Sequence, residues 1–289
     1  MENLRPKSSR TGVLKLCTLK DRRIYYLKFY ANKQRWCSEV YAYKHWMYHL
    51  KPYAPELIHI LEGKSWQAVL MTSLDGTIMR DTELGPQALQ DAYYRAGELT
   101  RCVHRLTTGD WFGPMDQVGN PLEAIPCKDP ISYVTDSIRD VARECLGKGL
   151  LVPSEIELME WALQNVEVFE HTQPVPVNWD STPGNWLVDR MGRFMGMIDF
   201  ENMLWGIDVD SFSILFERYF EDQTIMKSFF NGYGLEVLEE KSTHIKICCI
   251  KLGLSNIYWG EKHGSLRVAS YGKTLLQRIY DDRLIGLYS

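Results

Sequence analysis

The spacing of apolar positions changes along the chain, and each change predicts an element. Val13 to Leu19 and Ile24 to Tyr30 are short, mostly apolar runs, the second dense in aromatic residues, split by the polar turn Asp21-Arg22-Arg23, and read as paired strands. From Arg35 to Leu50 the period lengthens. Trp36, Val40, Tyr43, Met47 and Leu50 recur at steps of four and three, one face of a helix. Gln67 to Met71 is an apolar strand that runs into the polar stretch Thr72 to Gly76. Pro86 to Leu106 reads as a long helix with Leu89, Ala92, Ala96, Leu99, Val103 and Leu106 on one stripe. Thr107 to Pro130 is rich in Gly, Asp, Asn and Pro and reads as a loop. Another helix is predicted from Pro153 to about Glu170, with Ser154 and Glu157 at capping-box spacing. Ser211 to Tyr233 is aromatic and helical in pattern, and the apolar run Ile245 to Leu252, containing Cys248 and Cys249, reads as core.

Candidate chemistry gathers around a hairpin. Trp186-Leu187-Val188 reads as a strand, Asp189 to Arg193 as a polar turn, and Phe194 to Ile198 as its partner, which would set Asn185 and Asp199 side by side at the open end. Ahead of it stands Asn178-Trp179-Asp180-Ser181-Thr182-Pro183-Gly184-Asn185. Such a set suits phosphoryl transfer. Asp180 can receive a hydroxyl proton, while Asn185 and Asp199 can hold metal ions against a nucleotide's phosphates. An Asp with an Asn five places on is common by chance, and both residues favour turns anyway. The specific part is the continuation into strand, turn and a strand ending Ile198-Asp199-Phe200. Upstream, Lys28 lies inside a strand, and Glu39 sits next to Val40 beside the apolar helix face, from where it can reach Lys28. Alone, each would read as a snorkelling lysine and a solvated glutamate. In this order, ahead of Asp180, Asn185 and Asp199, they read as a phosphate-positioning pair.

Val177 to Asp189 resembles the His-Gly-Asp-x-x-x-x-Asn segment, followed by apolar residues and an Asp, of the aminoglycoside phosphotransferase and choline kinase family. The helix ending Leu99-Thr100-Arg101-Cys102-Val103-His104-Arg105-Leu106 is similar to the family's Leu-x-x-x-x-His-x-Leu helix, with His104 in a structural place. Where the family has His and a small residue, this chain has Asn178 and Trp179. The resemblance implies an α+β, bilobal, protein-kinase-like fold: an antiparallel-sheet lobe with one helix over residues 1–73, and a mostly helical catalytic and acceptor-binding lobe over 74–289. It implies transfer of the γ-phosphoryl group of ATP or GTP, with Mg²⁺, to a small-molecule hydroxyl. An aminoglycoside-type antibiotic or another amino-sugar or amino-alcohol is the first acceptor class, and choline or a sugar the metabolic alternative. Asp180 would be the base, Asn185 and Asp199 the metal ligands, and Lys28 with Glu39 the phosphate holders. Ser9 and Gly12 would belong to a phosphate loop over Lys7 to Gly12, which is poor in glycine. Met71, Thr72 and Ser73 would form the adenine-binding hinge, with Leu187 and Ile198 also against the nucleotide. Asp210, or alternatively Asp208, would brace the catalytic loop. Glu201, Glu217 and Asp222 are the candidates for meeting a cationic acceptor, together with aromatic faces. The segment Thr107 to Pro130 is the candidate for lining the acceptor cleft. Asn178 and Trp179 keep open a nucleotide-binding pseudokinase. A protein kinase is disfavoured by the short path from Asp199 to Asp210.

Composition narrows the setting further. With 289 residues, 45% hydrophobic and 24% charged, the chain can bury a sizeable core. A net charge of -4 gives no support to a nucleic-acid partner. No apolar run reaches membrane-spanning length, and the seven cysteines show no metal spacing, so free thiols in a cytoplasmic protein are expected, as monomer or homodimer.

Overall fold

A computed structural model describes residues 2–3, 11–219 and 222–284. Ser9 and most of the expected phosphate loop lie outside the described residues.

The N-terminal part is one antiparallel sheet in the order β1-β2-β3-β5-β4. Its strands are β1 (Glu2–Asn3), β2 (Thr11–Cys17), β3 (Ile24–Tyr30), β4 (Leu57–Glu62) and β5 (Gln67–Thr72). Lys28 lies in the central strand, opposite Val13 on one side and Val69 on the other. Strand residues two apart share a face. Lys28 and Tyr30 therefore both point under the sheet, where both are buried.

Helix α1 (Lys33–His45) closes that face. Asn32 caps it by accepting from the Gln34 N–H at 2.8 Å, which satisfies one of the donors a helix start leaves over. The expected apolar stripe is present, with Trp36, Val40, Tyr43, Met47 and Leu50 all buried. The α-helix stops at His45, and a 3-10 turn (Met47–Leu50) carries the stripe's last two members.

A second sheet of three strands, ordered β6-β8-β9, combines β6 (Thr77–Ile78), β8 (Trp186–Val188) and β9 (Phe194–Met197). The turn between β8 and β9 is held by Asp189, whose carboxylate accepts from the Met191 and Arg193 N–H groups, each at 2.9 Å. β7 (Val175–Asn178) pairs antiparallel with β10 (Met203–Gly206), so the candidate catalytic segment leaves the end of one strand and returns in the next sheet.

The rest is helical: α2 (Pro86–His104), α3 (Pro130–Gly147), α4 (Pro153–Gln164), α5 (Ser213–Arg218), α6 (Gln223–Tyr233), α7 (Glu236–Glu240), α8 (Ser242–Lys262) and α9 (Leu266–Tyr280). α2 and α6 touch backbone to backbone. A Cβ built on Gly97 would lie 2.1 Å from the Phe229 carbonyl oxygen, and one on Gly232 would lie 2.0 Å from that of Tyr94. Phe212, Phe229, Phe230 and Tyr233 pack edge-on and tilted beneath them. Cys248 and Cys249 are buried on α8, as expected from their apolar run.

The start of α4 differs from the sequence expectation. Its cap position is Val152, and Glu155 reaches back to accept from the Val152 N–H at 3.0 Å. Ser154 therefore lies inside the first turn, because Pro153 takes the first helical place, where its missing N–H is harmless. No described helix is long and apolar enough to cross a membrane. The antiparallel N-terminal sheet and helical C-terminal part make the α+β, kinase-like architecture that the sequence implies.

Candidate active site

Lys28 is the centre of a buried ion cluster. Its ammonium contacts Glu39, the Asp199 carboxylate at 2.6 Å and the Glu201 carboxylate at 3.0 Å. Burial pulls a lysine's pKa down, but here the carboxylates of Glu39, Asp199 and Glu201 outweigh it and hold the ammonium above its ordinary value. Glu39 is fully buried. It accepts from the Tyr30 hydroxyl and, through its second oxygen, from the Phe200 N–H at 3.2 Å. These bonds satisfy a buried carboxylate that would otherwise be costly, and they tie α1 to the residue after Asp199.

Asp199 reaches Lys28 through an unusual backbone. Its φ is +68°, in the left-handed region that side-chain-bearing residues seldom occupy. The hairpin fixes the approach, since Ile198 donates to the Asn185 carbonyl at 2.9 Å. Asn185 is thus paired with Ile198, and Asp199 follows it at the hairpin's open end.

The segment Asn178 to Asn185 is a closed turn stitched by its own side chains. Asn178 accepts from the Asp180 N–H at 3.0 Å, so the residue standing where the family has His caps the loop from the inside. The Asn185 Nδ2 donates to the Asp180 carbonyl at 2.8 Å, and the Asn185 N–H donates to Thr182 at 2.7 Å. The Trp186 indole N–H donates to the Ser181 hydroxyl at 3.2 Å. Burial and the nearby Asp199 raise the Asp180 carboxyl above its ordinary value, against the lowering effects of Asn185 and Arg218.

Other expected residues fall in several places. Glu201, offered by the sequence as a contact for the acceptor, lies in the Lys28 cluster instead. It is 5% exposed, accepts from the Thr11 hydroxyl at 3.0 Å and pairs with Arg35. Glu217 is buried under Arg218 and Asn256. Asp222 caps α6 by accepting from the Ile225 N–H at 3.1 Å. Asp210 pairs with Lys251 of α8, and Asp208 with Lys241 at 2.5 Å. Gly12 sits in β2 next to Thr11, with open space where a Cβ would be. At the expected hinge, Met71 is buried and receives the Tyr43 hydroxyl on its sulfur at 3.4 Å. Thr72 gives its N–H to the Glu56 carbonyl at 2.9 Å and its hydroxyl oxygen accepts from the Glu56 N–H at 2.8 Å, so the Thr72 backbone donor is occupied. Ser73 donates its hydroxyl to the Leu74 carbonyl at 3.1 Å. Leu187 is buried in β8, and Ile198 is half-buried just past β9. The segment 107–130 packs against β10, with the Gly113 N–H donating to Trp205 at 2.8 Å.

His104 is buried between the Tyr233 hydroxyl at 2.9 Å and the Ser211 hydroxyl at 3.1 Å, and burial lowers its pKa to about 4. Three residues of the cluster escaped sequence reasoning: Thr11, Tyr30 and Arg35. Arg35 carried a signal, since it precedes Glu39 by one helical turn and so shares its face.

Hard oxygen donors suit Mg²⁺, and the cluster supplies them. Glu39, Asp199 and Glu201 offer oxygens that lie within 4.8 Å of one another. The Asn185 amide is engaged through Nδ2, and its Oδ1 is the atom of that side chain able to serve as a ligand.

The model of the phosphotransferase enzyme family matches residues 15–240. No curated protein matches the chain. Among solved structures, a thermostable mutant of aminoglycoside phosphotransferase APH(4)-Ia, in ternary complex with AMP-PNP and hygromycin B, is similar with a TM-score of 0.75 and 15% identity, over 97% of this chain and 92% of that one. The GDP complex of wild-type aminoglycoside 2'-phosphotransferase-IIIa follows at 0.66 and 15% identity, over 96% and 95%. The gentamicin complex of APH(2")-IIa gives 0.61 and 14% identity, over 92% and 91%. At these identities the likeness is one of fold.

Proposed function

The chain belongs to the phosphotransferase enzyme family, and from that premise we propose that it moves the γ-phosphoryl group of ATP, or of GTP in its place, to a hydroxyl of a small molecule. One observation carries the reading. Lys28, Glu39 and Asp199, drawn from a strand, a helix and a distant hairpin, meet in one buried cluster beside the loop that bears Asp180. The lobes that hold the nucleotide between them divide at residues 1–73 and 74–289.

Lys28 positions the nucleotide's phosphates, and Glu39 fixes Lys28. Asp199 and Asn185 would hold Mg²⁺, with the Glu201 and Glu39 carboxylates close by, and the bound ion would supply charge neutralisation at the phosphoryl group. Asp180 orients the acceptor hydroxyl and takes its proton as the acceptor oxygen bonds to the γ-phosphorus. The bond to the bridging oxygen breaks, and its electron pair leaves with the nucleoside diphosphate. Proton acceptance of this kind contributes about a hundredfold to ten-thousandfold. The remainder is positioning and charge stabilisation.

For the acceptor we propose a hydroxylated amino-sugar or amino-alcohol, a reading supported by the likeness in fold to structures solved with hygromycin B and gentamicin. Glu201 and Glu217 are buried and engaged within the protein, whereas Asp222 is exposed beside its cap, so of the three it is the one open to a cationic acceptor. A thermal-shift titration with ATP and GTP, each with and without Mg²⁺, tests the core of the proposal, because ligand that binds only the folded state raises the melting temperature. A metal-dependent rise is expected. Its absence with both nucleotides would leave the phosphotransfer reading without a donor.

A further inference from the structure

Asp210 was expected to brace the catalytic loop, and its carboxylate in fact meets Lys251, on the middle of α8. The same ammonium lies over an aromatic ring. Lys251 Nζ lies 5.5 Å from the centroid of Trp179, inside the range of a cation–π contact. Trp179 immediately precedes Asp180, at a place where the family carries a small residue.

We propose that Lys251 is a positioning residue, a strut that passes the hold of Asp210 to the catalytic loop by clamping Trp179. The Lys251 side chain is 14% exposed and that of Asp210 is 5% exposed, so the ammonium is held away from water, while the Trp179 ring it touches is 44% exposed. The other groups facing the ammonium are Tyr133 of α3 and Cys248, one turn back on α8. Asp210 is itself anchored: its carbonyl accepts from the Ser213 hydroxyl at 2.8 Å. The neighbouring pair Asp208–Lys241 ties the same 3-10 turn, Asp208–Phe212, to the start of α8. A strut fixed at its base can therefore press on Trp179. On the other flank, Asn178 holds the Asp180 N–H. Asp180 is thus set between a loop-internal cap and an external clamp. Trp179, which reads as a loss of the family pattern, becomes the handle by which α8 grips the loop.

Hydrogen exchange tests the strut without requiring turnover. The role assigned to Lys251 rests on Asp180 being the base, but exchange reads the loop itself. A missing nucleotide shift would sink the phosphotransfer reading alone, and an unaltered loop would sink the strut alone. Trp179→Leu leaves the Lys251–Asp210 pair intact and is the main variant. Amide exchange over residues 178–185 is expected to rise about threefold to fivefold, the scale of a lost cation–π contact to a partly exposed ring. Lys251→Met is expected to match it, and the two together to exceed neither. Lys251→Arg keeps charge and stacking and is expected to keep the protection. Should Lys251→Met not fold, Lys251→Met with Asp210→Asn removes both buried charges at once and takes its place. Wild-type exchange of the loop in Trp179→Leu would overturn the proposal. So would effects of the two substitutions that simply multiply, or loosening confined to α8 and residues 208–212.

Discussion

The Lys28 ammonium and the Asp199 carboxylate meet at 2.6 Å across 171 residues of chain. Two local structures make this possible. β3 directs Lys28 under the sheet, and the left-handed backbone of Asp199 turns its carboxylate back toward the strand. Strain at a single non-glycine residue costs of order 1–3 kcal/mol and persists where the surroundings over-determine it. Here the Lys28 contact and the Phe200 N–H bond to Glu39 do so.

Removing the ammonium should therefore unsettle the fold as well as the site. Among the described residues, Lys28→Met leaves Glu39, Asp199 and Glu201 close together, with Arg35 still paired to Glu201. Breaking a buried ion pair from one side typically costs about 3–5 kcal/mol. In a chain of this size that lowers the melting temperature by roughly 10 °C. Mg²⁺ can stand in for part of the lost charge, so the ion should stabilise the variant more than the wild type. Melting curves with and without Mg²⁺ check both statements, and an unchanged melting temperature would contradict the cluster.

Much of this arrangement was legible beforehand, because it rests on local patterns. β3 announces itself by its aromatic and β-branched residues, α1 by its stripe, and the hairpin by the polar turn around Asp189. The sequence was least readable where partners come from several elements. Glu201 gathers Thr11 of β2, Lys28 of β3 and Arg35 of α1, a convergence with no signature in spacing. β4 was missed because most of Leu57–Glu62 is exposed and shows no alternation. α3 did carry signals: an Asp129 cap, Pro130 at the first position, and Val134, Ile138, Ala142 and Cys145 buried at steps of four and three. The loop-like composition just before it masked them.

Asp180→Asn should separate binding from chemistry. The amide keeps the shape of the side chain and loses the base, so Mg-nucleotide affinity should stay and transfer should fall by about two orders of magnitude or more. The same substitution carries a stability signature. Burial and Asp199 raise the Asp180 carboxyl in the folded protein, so ionising it opposes folding: the stability it contributes is present in acid and lost as pH rises through its raised value. Asparagine cannot ionise, and the variant should melt higher than wild type at neutral pH. In the wild type, transfer should fall as pH drops through that raised value, since the base must be unprotonated. A variant with normal turnover would remove Asp180 from the reaction.

Asp199→Ala tests the metal. It deletes the carboxylate that pairs with Lys28 and comes directly after Ile198, the residue bonded to Asn185. Nucleotide affinity in the presence of Mg²⁺ should drop to the level seen without the ion. Calorimetric titration with and without Mg²⁺ measures both; affinity that still responds to Mg²⁺ as in wild type would place the ion elsewhere.

His104 offers a prediction far from the nucleotide. Both ring nitrogens are engaged, by Tyr233 and Ser211, and burial holds the ring neutral down to about pH 4 against an ordinary value of 6.5. The unfolded chain takes up a proton at the ordinary value. Stability from this residue is therefore fully present above about pH 6.5 and is lost as pH falls toward 4. The shift corresponds to roughly 3 kcal/mol over that window. His104→Gln cannot titrate there. It should be less stable than wild type at pH 7, through the lost packing and hydrogen bonds, yet the gap should narrow steadily as pH approaches 4. Urea midpoints of both proteins at pH 7, 5.5 and 4.5 give the comparison, with the carboxylates common to the two cancelling in the difference. A gap that stays constant across these points would show that the ring is not held neutral.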